Sequence, residues 1–506
     1  MKYDEQVRPI EAPIPADRQA AKRHYGVHPY FTRRPFNVVQ QYVRHYSKQG
    51  DRVLDPFGGS GVTAIEALLS NRIGIHNDIN PLANFIATGI AGLAKGSAED
   101  YRAALGEIRD RCERHVSELH AASDNVVARW LKRVPLPPNV PLPANSDVRT
   151  YHELFSPRQL VCLAVIRQAV DHLSHPHARK AMQLAWSATL AKVNRTFLSA
   201  EGRAESRGGS SIFSIYRYKI AAKPVELPPW PTFYERAENI LAAKDEIDRE
   251  ISYRERTGGF RGKFQVYSCD VEGLKQHIKP VDYIFTDPPY GGHISYLDLS
   301  TLWNVWNGVL PSQTEREREL IVGGDLNLTE SMYVKRLRES IRTCFALLKP
   351  NRWLSIVFQH WSSAYFDAIL TAAAESGGDL RAAISQIGDP IWSMHKKKGK
   401  KSVLAGELIL TFLKTGERKE IDANKPFDIE AAVARTLDES PDGTVYGEYI
   451  LNRIVVEAWK SGALGSLNID KTEFTAILER QGWSYEDRTH QWRHSHSMPL
   501  LLADYV

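Results

Sequence analysis

Two hydrophobic patterns alternate along the chain, and they predict alternating strands and helices. Apolar runs of strand length and longer stretches with helical spacing follow one another in both halves of the sequence. Strands are predicted at 53–54, 73–77, 264–268, 281–286, 353–359, 382–387 and 407–413, and helices at 36–46, 62–69, 331–348 and 364–376. This order predicts an α/β protein with a mostly parallel sheet covered by helices on both faces. The last two strands are predicted to form an antiparallel pair at one edge.

The middle of the chain has a different character. After residue 84 the pattern becomes helical and stays so for a long stretch, with 98–119 and 157–173 as the clearest helices and a stiff proline-rich linker at 134–143 between them. Four regions follow from these shifts. We predict an N-terminal arm at 1–24, a core at 25–96 and 261–418, a mostly helical insert at 97–260, and a small helical C-terminal domain at 419–506.

Composition narrows the class of protein without identifying a function. The 506 residues are 43% apolar and 25% charged, which is ordinary for a soluble globular protein of two or three domains. The four cysteines are scattered, and neither a signal peptide nor a membrane-spanning segment is evident, so a cytoplasmic location is expected. The formal net charge is only +5, so a nucleic-acid surface would have to be a local patch.

A glycine-rich turn, Asp55–Gly61 (hereafter the glycine turn), follows the first strand and precedes a helix. Glycines at such a junction let backbone amides approach a ligand closely. Asp78 ends the next strand, where an acidic residue can bind ribose hydroxyls. The glycine spacing does not fit a dinucleotide-binding motif, and no Lys-Ser or Lys-Thr pair follows it as in a phosphate loop. A nucleoside ligand without a pyrophosphate remains, and S-adenosylmethionine fits that description.

A second motif, Asp287-Pro288-Pro289-Tyr290, directly follows the strand 281–286. It is hereafter called the catalytic motif, after the role that the resemblance described below implies. A polar acceptor, two rigid prolines and an aromatic ring can hold a flat nucleobase by its exocyclic amine. The alternative is a proline-rich turn that merely closes a strand. Acidic residues stand at or just after four predicted strands, and ligands of such sheets bind beyond the carboxyl ends of the strands. These four residues are Asp55, Asp78, Asp270 and Asp287.

The two motifs resemble those of the amino-directed DNA methyltransferases, which modify adenine N6 or cytosine N4. The chain is most similar to a bacterial and archaeal group described as adenine-specific DNA methylases. In that group the catalytic motif continues into a stretch like 294–300, followed by aromatic residues such as Trp303 and Trp306, and the N-terminal motif is similar to His28–Pro35. The similarity covers roughly 25–96 and 262–415. Some relatives carry a zinc ribbon, but this chain has no Cys-x-x-Cys, so no metal is expected.

The resemblance implies a Rossmann-like S-adenosylmethionine-dependent methyltransferase fold with a mostly parallel seven-stranded sheet, a large helical insert and a small helical C-terminal region. It also implies methyl transfer to the exocyclic amine of a flipped base in double-stranded DNA, with N6 of adenine as the target. In the catalytic motif, Asp287 and the Pro288 carbonyl would accept the two amine hydrogens, and Tyr290 would stack on the base. The implied cofactor-binding residues are Tyr30, Thr32, Asp55, Phe57, Gly58, Gly59, Ser60, Gly61, Asp78 and Asp270.

Nucleic-acid contacts are predicted from two basic stretches. Arg195, Arg203 and Arg207 surround a glycine-rich segment of the insert. The insert as a whole is also the first choice for recognition of the target sequence. The second stretch lies between the last two strands of the core and consists of Lys396, Lys397 and Lys398, with Trp392 before it. Surface loops, solvated charges and a core tryptophan are the alternative interpretations.

Other functions stay open at this point. The same motifs are compatible with methylation of cytosine N4, with methylation of a tRNA base, and with a DNA-binding scaffold that has lost catalysis. Restriction or defence-system proteins are expected as partners if the methylation protects host DNA. The sequence predicts no membrane partner.

Overall fold

A computed structural model describes most of the chain. The described residues are 7–17, 21–198, 209–222, 225–292, 294–359, 363–386, 407–419, 425–438, 444–445, 447–463, 471–486, 489 and 491–494.

The strands of the described residues form three sheets. In chain order they are β1 Arg52–Asp55, β2 Ile73–Asn77, β3 Phe197–Leu198, β4 Gly209–Ser210, β5 Lys263–Tyr267, β6 Val281–Thr286, β7 Leu348–Phe358, β8 Gly378–Gln386, β9 Glu407–Lys414, β10 Thr444–Val445, β11 Trp483–Glu486 and β12 Gln491–His494.

The helices range from 4 residues in α8 to 28 residues in α9. In chain order they are α1 Phe36–Tyr46, α2 Val62–Leu69, α3 Pro81–Gly92, α4 Ala98–Ala121, α5 Asp124–Leu131, α6 Pro157–Asp171, α7 Pro176–Leu190, α8 Ser211–Ser214, α9 Pro229–Arg256, α10 Tyr296–Leu299, α11 Thr301–Asn307, α12 Gln313–Arg318, α13 Glu330–Leu347, α14 Ser363–Glu375, α15 Ile429–Asp438, α16 Gly447–Ser461 and α17 Lys471–Arg480.

The largest sheet has seven strands in the order β5-β2-β1-β6-β7-β9-β8. The first five are parallel, whereas β9 runs antiparallel to both β7 and β8. This confirms the Rossmann-like fold that the resemblance implied and the antiparallel edge that the hydrophobic pattern predicted. The chain reverses its direction of progress across the sheet between β1 and β6, and such a reversal opens a crevice at the carboxyl ends of the strands.

The central strands are buried on both faces because their side chains alternate between two hydrophobic cores. Val53 and Tyr283 point to a first core that they share with α1 and the helices of the insert. Leu54 and Ile284 point to a second core, formed with α13 and α14. The insert therefore packs into one of the two cores that enclose the sheet.

The insert contains the long helices α4, α6, α7 and α9 and the short hairpin of β3 and β4. The sequence pattern did not single out α9, the longest helix described, because most of its positions are charged or polar. Its buried side chains are confined to one side and include Phe233, Ile240 and Ile247. A polar helix with one apolar stripe is stable here because the stripe packs on α4 and α7.

The C-terminal region combines three helices with three short strands. A small helical domain was predicted here, whereas the antiparallel sheet in the order β10-β12-β11 was not. Its strands are two to four residues long, too short for an alternating pattern to stand out. These elements share a third hydrophobic core that includes Trp483 and Trp492.

Candidate active site

The carboxyl ends of β1 and β6 lie side by side and are joined through side chains. Thr286, the last residue of β6, donates its hydroxyl to Asp55 Oδ1 at 2.9 Å, and Thr63 Oγ1 donates to Asp55 Oδ2 at 2.8 Å. Asp55 is only 5% exposed, and this burial raises the pKa of its carboxyl to about 7. The first residue of the glycine turn therefore fastens the turn to the strand that carries the catalytic motif.

The glycine turn closes tightly after β1. Gly58 donates its amide to the Asn77 carbonyl at 2.8 Å, and a Cβ at position 58 would lie 2.2 Å from His76 Nδ1. Gly59 and Gly61 have φ values of 51° and 91°, which side chains with a Cβ rarely adopt. The three glycines are thus required by space and by backbone conformation.

Two other side chains of the turn point into the protein. Ser60 is 3% exposed and accepts a hydrogen bond from Arg33 Nε at 3.1 Å. Phe57 is half-buried against the second core. Both residues shape the turn, and contact of their side chains with a cofactor stays a prediction.

Asp78 follows β2 and binds the glycine turn from the other side. Its Oδ2 accepts the Gly59 amide and its Oδ1 accepts the Asn80 amide, each at 2.8 Å. Burial raises the pKa of this carboxyl to about 6. Each carboxylate oxygen has two acceptor positions, so Asp78 keeps capacity for the hydroxyls of a ribose.

The N-terminal segment 28–35 lies against the glycine turn. Tyr30 Cε1 lies 3.3 Å from the place that a Cβ on Gly59 would take. The Tyr30 ring stacks on Tyr296 with ring centroids 6.5 Å apart, and Tyr296 shares a hydrogen bond with Thr32. The structure therefore brings Tyr30 and Thr32 together with the turn and with the segment after the catalytic motif.

The catalytic motif is held rigidly at the end of β6. Tyr290 Oη donates to Asp287 Oδ1 at 2.6 Å, and the tyrosine ring packs edge-on against Phe358 at 5.2 Å. The Pro289 carbonyl accepts a hydrogen bond from Tyr333 Oη at 2.5 Å. These contacts place the carboxylate and the aromatic ring of the motif side by side.

Arg34 completes this group and was given no role from the sequence. Its Nε donates to Asp287 Oδ2 at 2.5 Å, and its Nη2 donates to Tyr290 Oη at 2.6 Å. Burial acts to lower the pKa of Arg34, but its interactions with Asp287 and Tyr290 outweigh this effect, so the pKa lies above its ordinary value. No local pattern reveals this contact, because Arg34 and Asp287 are 253 residues apart in the chain.

Asp270 lies at the same edge of the sheet, beyond β5. The side-chain nitrogen Nδ2 of Asn77 donates to the Pro56 carbonyl at 3.0 Å and to the Cys269 carbonyl at 2.9 Å. Asn77 thereby joins the segments that carry Asp55 and Asp270. The Asp270 carboxylate itself accepts a hydrogen bond from Arg318 Nη1 at 2.5 Å. A cofactor adenine that binds Asp270 has to share it with Arg318 or replace Arg318.

Glu319 is a buried carboxylate that sequence reasoning missed. It is 5% exposed and its Oε1 accepts the Leu297 amide at 3.0 Å. Burial raises its pKa to about 8, and the negative charges of Asp298 and Asp78 add to the shift. In the sequence it stands in a run of alternating glutamates and arginines, which is typical of an exposed helix.

The predicted nucleic-acid residues are only partly described. Arg195 is half-buried, and its guanidinium donates to the Glu153 carbonyl at 3.0 Å. Arg203, Arg207, Trp392, Lys396, Lys397 and Lys398 lie outside the described residues. Their contact with DNA stays a prediction.

The hairpin of β3 and β4, which flanks Arg203 and Arg207, is connected to the active site through aromatic contacts. Phe213 in α8, directly after β4, packs against Phe31 at 5.6 Å and against Trp303 at 5.8 Å. Phe31 in turn packs edge-on against Tyr296 at 5.7 Å. This part of the insert therefore lies near the tyrosine that stacks on Tyr30.

Among the described residues, His, Cys, Asp and Glu side chains form no group of three or more that could hold a metal ion. In the same part of the chain, no helix has the length and apolar character needed to cross a membrane.

Comparison with other proteins adds one match. Residues 12–86 match the model of a protein family described as DNA methylase, which covers N6 and N4 methyltransferases. The match includes segment 28–35, the glycine turn and Asp78, and it ends before the catalytic motif. It confirms the resemblance to amino-directed DNA methyltransferases. A search of the curated proteins gives no match to this chain.

Proposed function

Because residues 12–86 match the DNA methylase family, we propose that this protein is an S-adenosylmethionine-dependent DNA methyltransferase that methylates the exocyclic amine of a flipped base, with N6 of adenine as its target. One observation carries the proposal. The 2.9 Å hydrogen bond between Thr286 and Asp55 brings the catalytic motif next to the glycine turn, although the two segments are far apart in the chain. A cofactor at the turn and a base at the motif would then be neighbours.

The residues around the glycine turn fit S-adenosylmethionine. Gly58 and Gly59 keep the turn tight, because a Cβ at either position would meet His76 or Tyr30. Their own amides are bonded to the Asn77 carbonyl and to Asp78, and Asp78 offers further acceptors for ribose hydroxyls. Tyr30 and Thr32 would enclose the aminoacyl end. When bound, the cofactor supplies an electrophilic methyl group on a positively charged sulfur.

The catalytic motif would orient the amine of the target base. Its nitrogen is a weak nucleophile because the lone pair is delocalised into the ring. Asp287 would accept one amine hydrogen and the Pro288 carbonyl the other, which directs the lone pair toward the methyl group. Alignment of two bound reactants lowers a barrier by up to ~7–11 kcal/mol in favourable systems.

Tyr290 would stack on the base after it has left the DNA helix. An amine inside a base pair is inaccessible, so enzymes of this kind rotate the target nucleotide out of the duplex. The edge-on contact with Phe358 fixes the Tyr290 ring before the base arrives. Adenine is preferred here because the catalytic motif and its continuation resemble those of adenine-specific enzymes.

Methyl transfer from labelled S-adenosylmethionine tests the proposal directly. The wild-type chain should label duplex DNA rather than total tRNA, and mass spectrometry of the digested product should identify N6-methyladenine. Asp287→Ala should reduce the rate on the order of 10²-fold or more, because the amine loses its acceptor. Asp245→Ala is a suitable control, since that carboxylate forms an exposed ion pair with Arg102.

The other possible results of the methyl-transfer experiment each favour a different interpretation. Equal activity of Asp287→Ala and wild type would contradict the catalytic role. Labelled tRNA would favour the RNA alternative, and N4-methylcytosine in DNA would change the target base. Absence of transfer to any nucleic acid would leave only the scaffold interpretation.

A further inference from the structure

Arg34 occupies the hydrogen-bonding groups of the catalytic motif. Its Nε contacts one carboxylate oxygen of Asp287 at 2.5 Å, while the other oxygen accepts the Tyr290 hydroxyl at 2.6 Å. The same hydroxyl accepts from Arg34 Nη2 at 2.6 Å. The three side chains thus form a closed hydrogen-bonded ring, in which the side chains of Arg34 and Asp287 are 15% and 20% exposed.

In this arrangement Arg34 competes with the target base for the Asp287 carboxylate and the Tyr290 ring. In the proposed function the base amine donates to Asp287 and the base stacks on Tyr290. The Arg34 guanidinium already donates to that carboxylate, and its Cζ lies over the Tyr290 ring, 5.6 Å from the centroid. A guanidinium is planar and stacks on aromatic rings, so it resembles the base in shape as well as in its donors.

The charge of Arg34 also opposes the reaction. The amine nitrogen becomes positively charged as it takes the methyl group, and the cofactor sulfur is positive before transfer. Asp287 stabilises such charge only when its own charge is not already neutralised by a neighbouring cation. An Arg34 that stayed beside Asp287 during transfer would therefore work against the step that Asp287 promotes.

We propose that Arg34 fills the target-base site of the DNA-free protein and is displaced when the base enters, so that it selects for bases with a suitably placed amine. The inference rests on the proposed function. Between reactions, Arg34 keeps a mostly buried carboxylate paired, which avoids the cost of an isolated charge. A base that donates an amine hydrogen to Asp287 replaces part of the lost ion pair, whereas a base without that amine does not.

The fluorescence of 2-aminopurine placed at the target position reports base flipping and tests this role. This fluorescent purine lacks the 6-amine, and its emission rises when it leaves the base stack. A duplex carries it at the target position, which is first located by sequencing the DNA that the wild-type chain methylates. Emission of the complex is measured at saturating protein with S-adenosylhomocysteine present, and kcat and KM are measured on unmodified duplex.

Arg34→Met keeps the length of the side chain and removes its donors and charge. We expect it to raise the flipped population of 2-aminopurine roughly three- to tenfold, since the base no longer competes with an ion pair. KM for DNA should fall while kcat is retained. Arg34→Lys, which has one ammonium instead of a planar fork, should give a smaller increase and serves as a second variant if Arg34→Met folds poorly.

Arg338→Met is the matched control, because Arg338 pairs with Glu375 on the outer helices α13 and α14. It should behave like the wild type in both measurements. If the Arg34 variants lose kcat without any gain in 2-aminopurine emission, Arg34 is a permanent support of Asp287 and the inference is overturned. If the wild-type chain transfers no methyl group to DNA, the proposed function itself fails, and the two failures are thereby distinguished.

Discussion

Tyr290 carries two groups with separate partners, an aromatic ring and a hydroxyl. The ring packs against Phe358, and the hydroxyl bonds to Asp287 and Arg34. In the proposed reaction only the ring touches the base. The hydroxyl acts on the free protein, where it helps to hold Arg34 in place.

Substitutions of Tyr290 should therefore separate the contributions of the ring and of the hydroxyl to the methylation rate. Tyr290→Ala removes the stacking surface, which is worth ~1–3 kcal/mol per base in other proteins, so the methylation rate at low DNA concentration should fall about 5- to 150-fold. Tyr290→Phe keeps the ring and should lose less than about tenfold. Initial rates of labelled methyl transfer give both values. Equal losses in the two variants would mean that the hydroxyl, not the ring, matters for the reaction.

The residues of the site also show which functional positions can be predicted from the sequence alone and which cannot. Asp287, Asp78 and the glycines were found because each stands at the end of an apolar strand. Arg34 and Glu319 were not, because the signal that identifies them is a partner brought near by folding. Arg34 looks like a solvated cation until Asp287 lies 2.5 Å away. Glu319 looks exposed until the segment around Leu297 covers it.

At the scale of elements, the glycine turn is a tightly constrained junction. Gly58 packs on His76, which is fully buried in β2 and stacks near Phe264 of β5 at 6.2 Å. The turn therefore rests on a side chain that is enclosed by the protein. A larger residue at position 58 has to displace either the ring or the turn.

Gly58→Ala is expected to weaken both the fold and cofactor binding. The added Cβ would lie 2.2 Å from the His76 ring, and overpacking of this kind costs about 1–3 kcal/mol. Gly106→Ala is a good control, because position 106 in α4 has open space around it and alanine stabilises a helix by roughly 0.5–1 kcal/mol over glycine. Urea unfolding and calorimetric titration with S-adenosylmethionine measure the two effects. Unchanged affinity in Gly58→Ala would argue against the turn as the cofactor site.

The accuracy of the predicted element boundaries depends on how completely each element is buried. The helices α1 and α2 were predicted at their observed bounds, and the central strands within a few residues, because both faces of those strands are buried and the apolar run is continuous. Strand β7 begins at Leu348 rather than at Trp353. Residues 349–352 are polar or proline and interrupt the apolar run, but Leu348 pairs with Val281 of β6 across an irregularity in the register. The helix α9 and the C-terminal strands were missed for related reasons, polarity and short length.

At the scale of the whole molecule, the insert and the core form a continuous hydrophobic interior. Residues just before segment 28–35 tie them together. Lys22 pairs with Glu250 at 2.6 Å and His24 with Glu246 at 2.5 Å, both in α9, while Tyr25 donates to Glu66 of α2 at 2.9 Å. A target-recognition role of the insert would thus act from a fixed position relative to the catalytic motif.

Glu319 links the site to the stability of the whole chain. Its pKa is about 8 in the folded protein and close to 4.3 in an unfolded chain. Below the unfolded value the carboxyl is protonated in both states and has no effect. Between the two values the unfolded chain ionises first, so stability decreases as pH rises, and above the folded value the full penalty is present.

Glu319→Gln removes this penalty and keeps an oxygen to accept the Leu297 amide. The variant should match the wild type near pH 4.5 and become more stable than it as pH rises, by an amount on the order of 5 kcal/mol above pH 8. Urea unfolding at several pH values measures the difference, and Glu317→Gln, an exposed neighbour on α12, should show little change. A constant difference across pH would mean that Glu319 is ionised throughout and that its burial is compensated by a cation. The outcome matters for function, because an acid held neutral near Asp78 and Tyr30 ionises most easily when a positively charged ligand binds beside it.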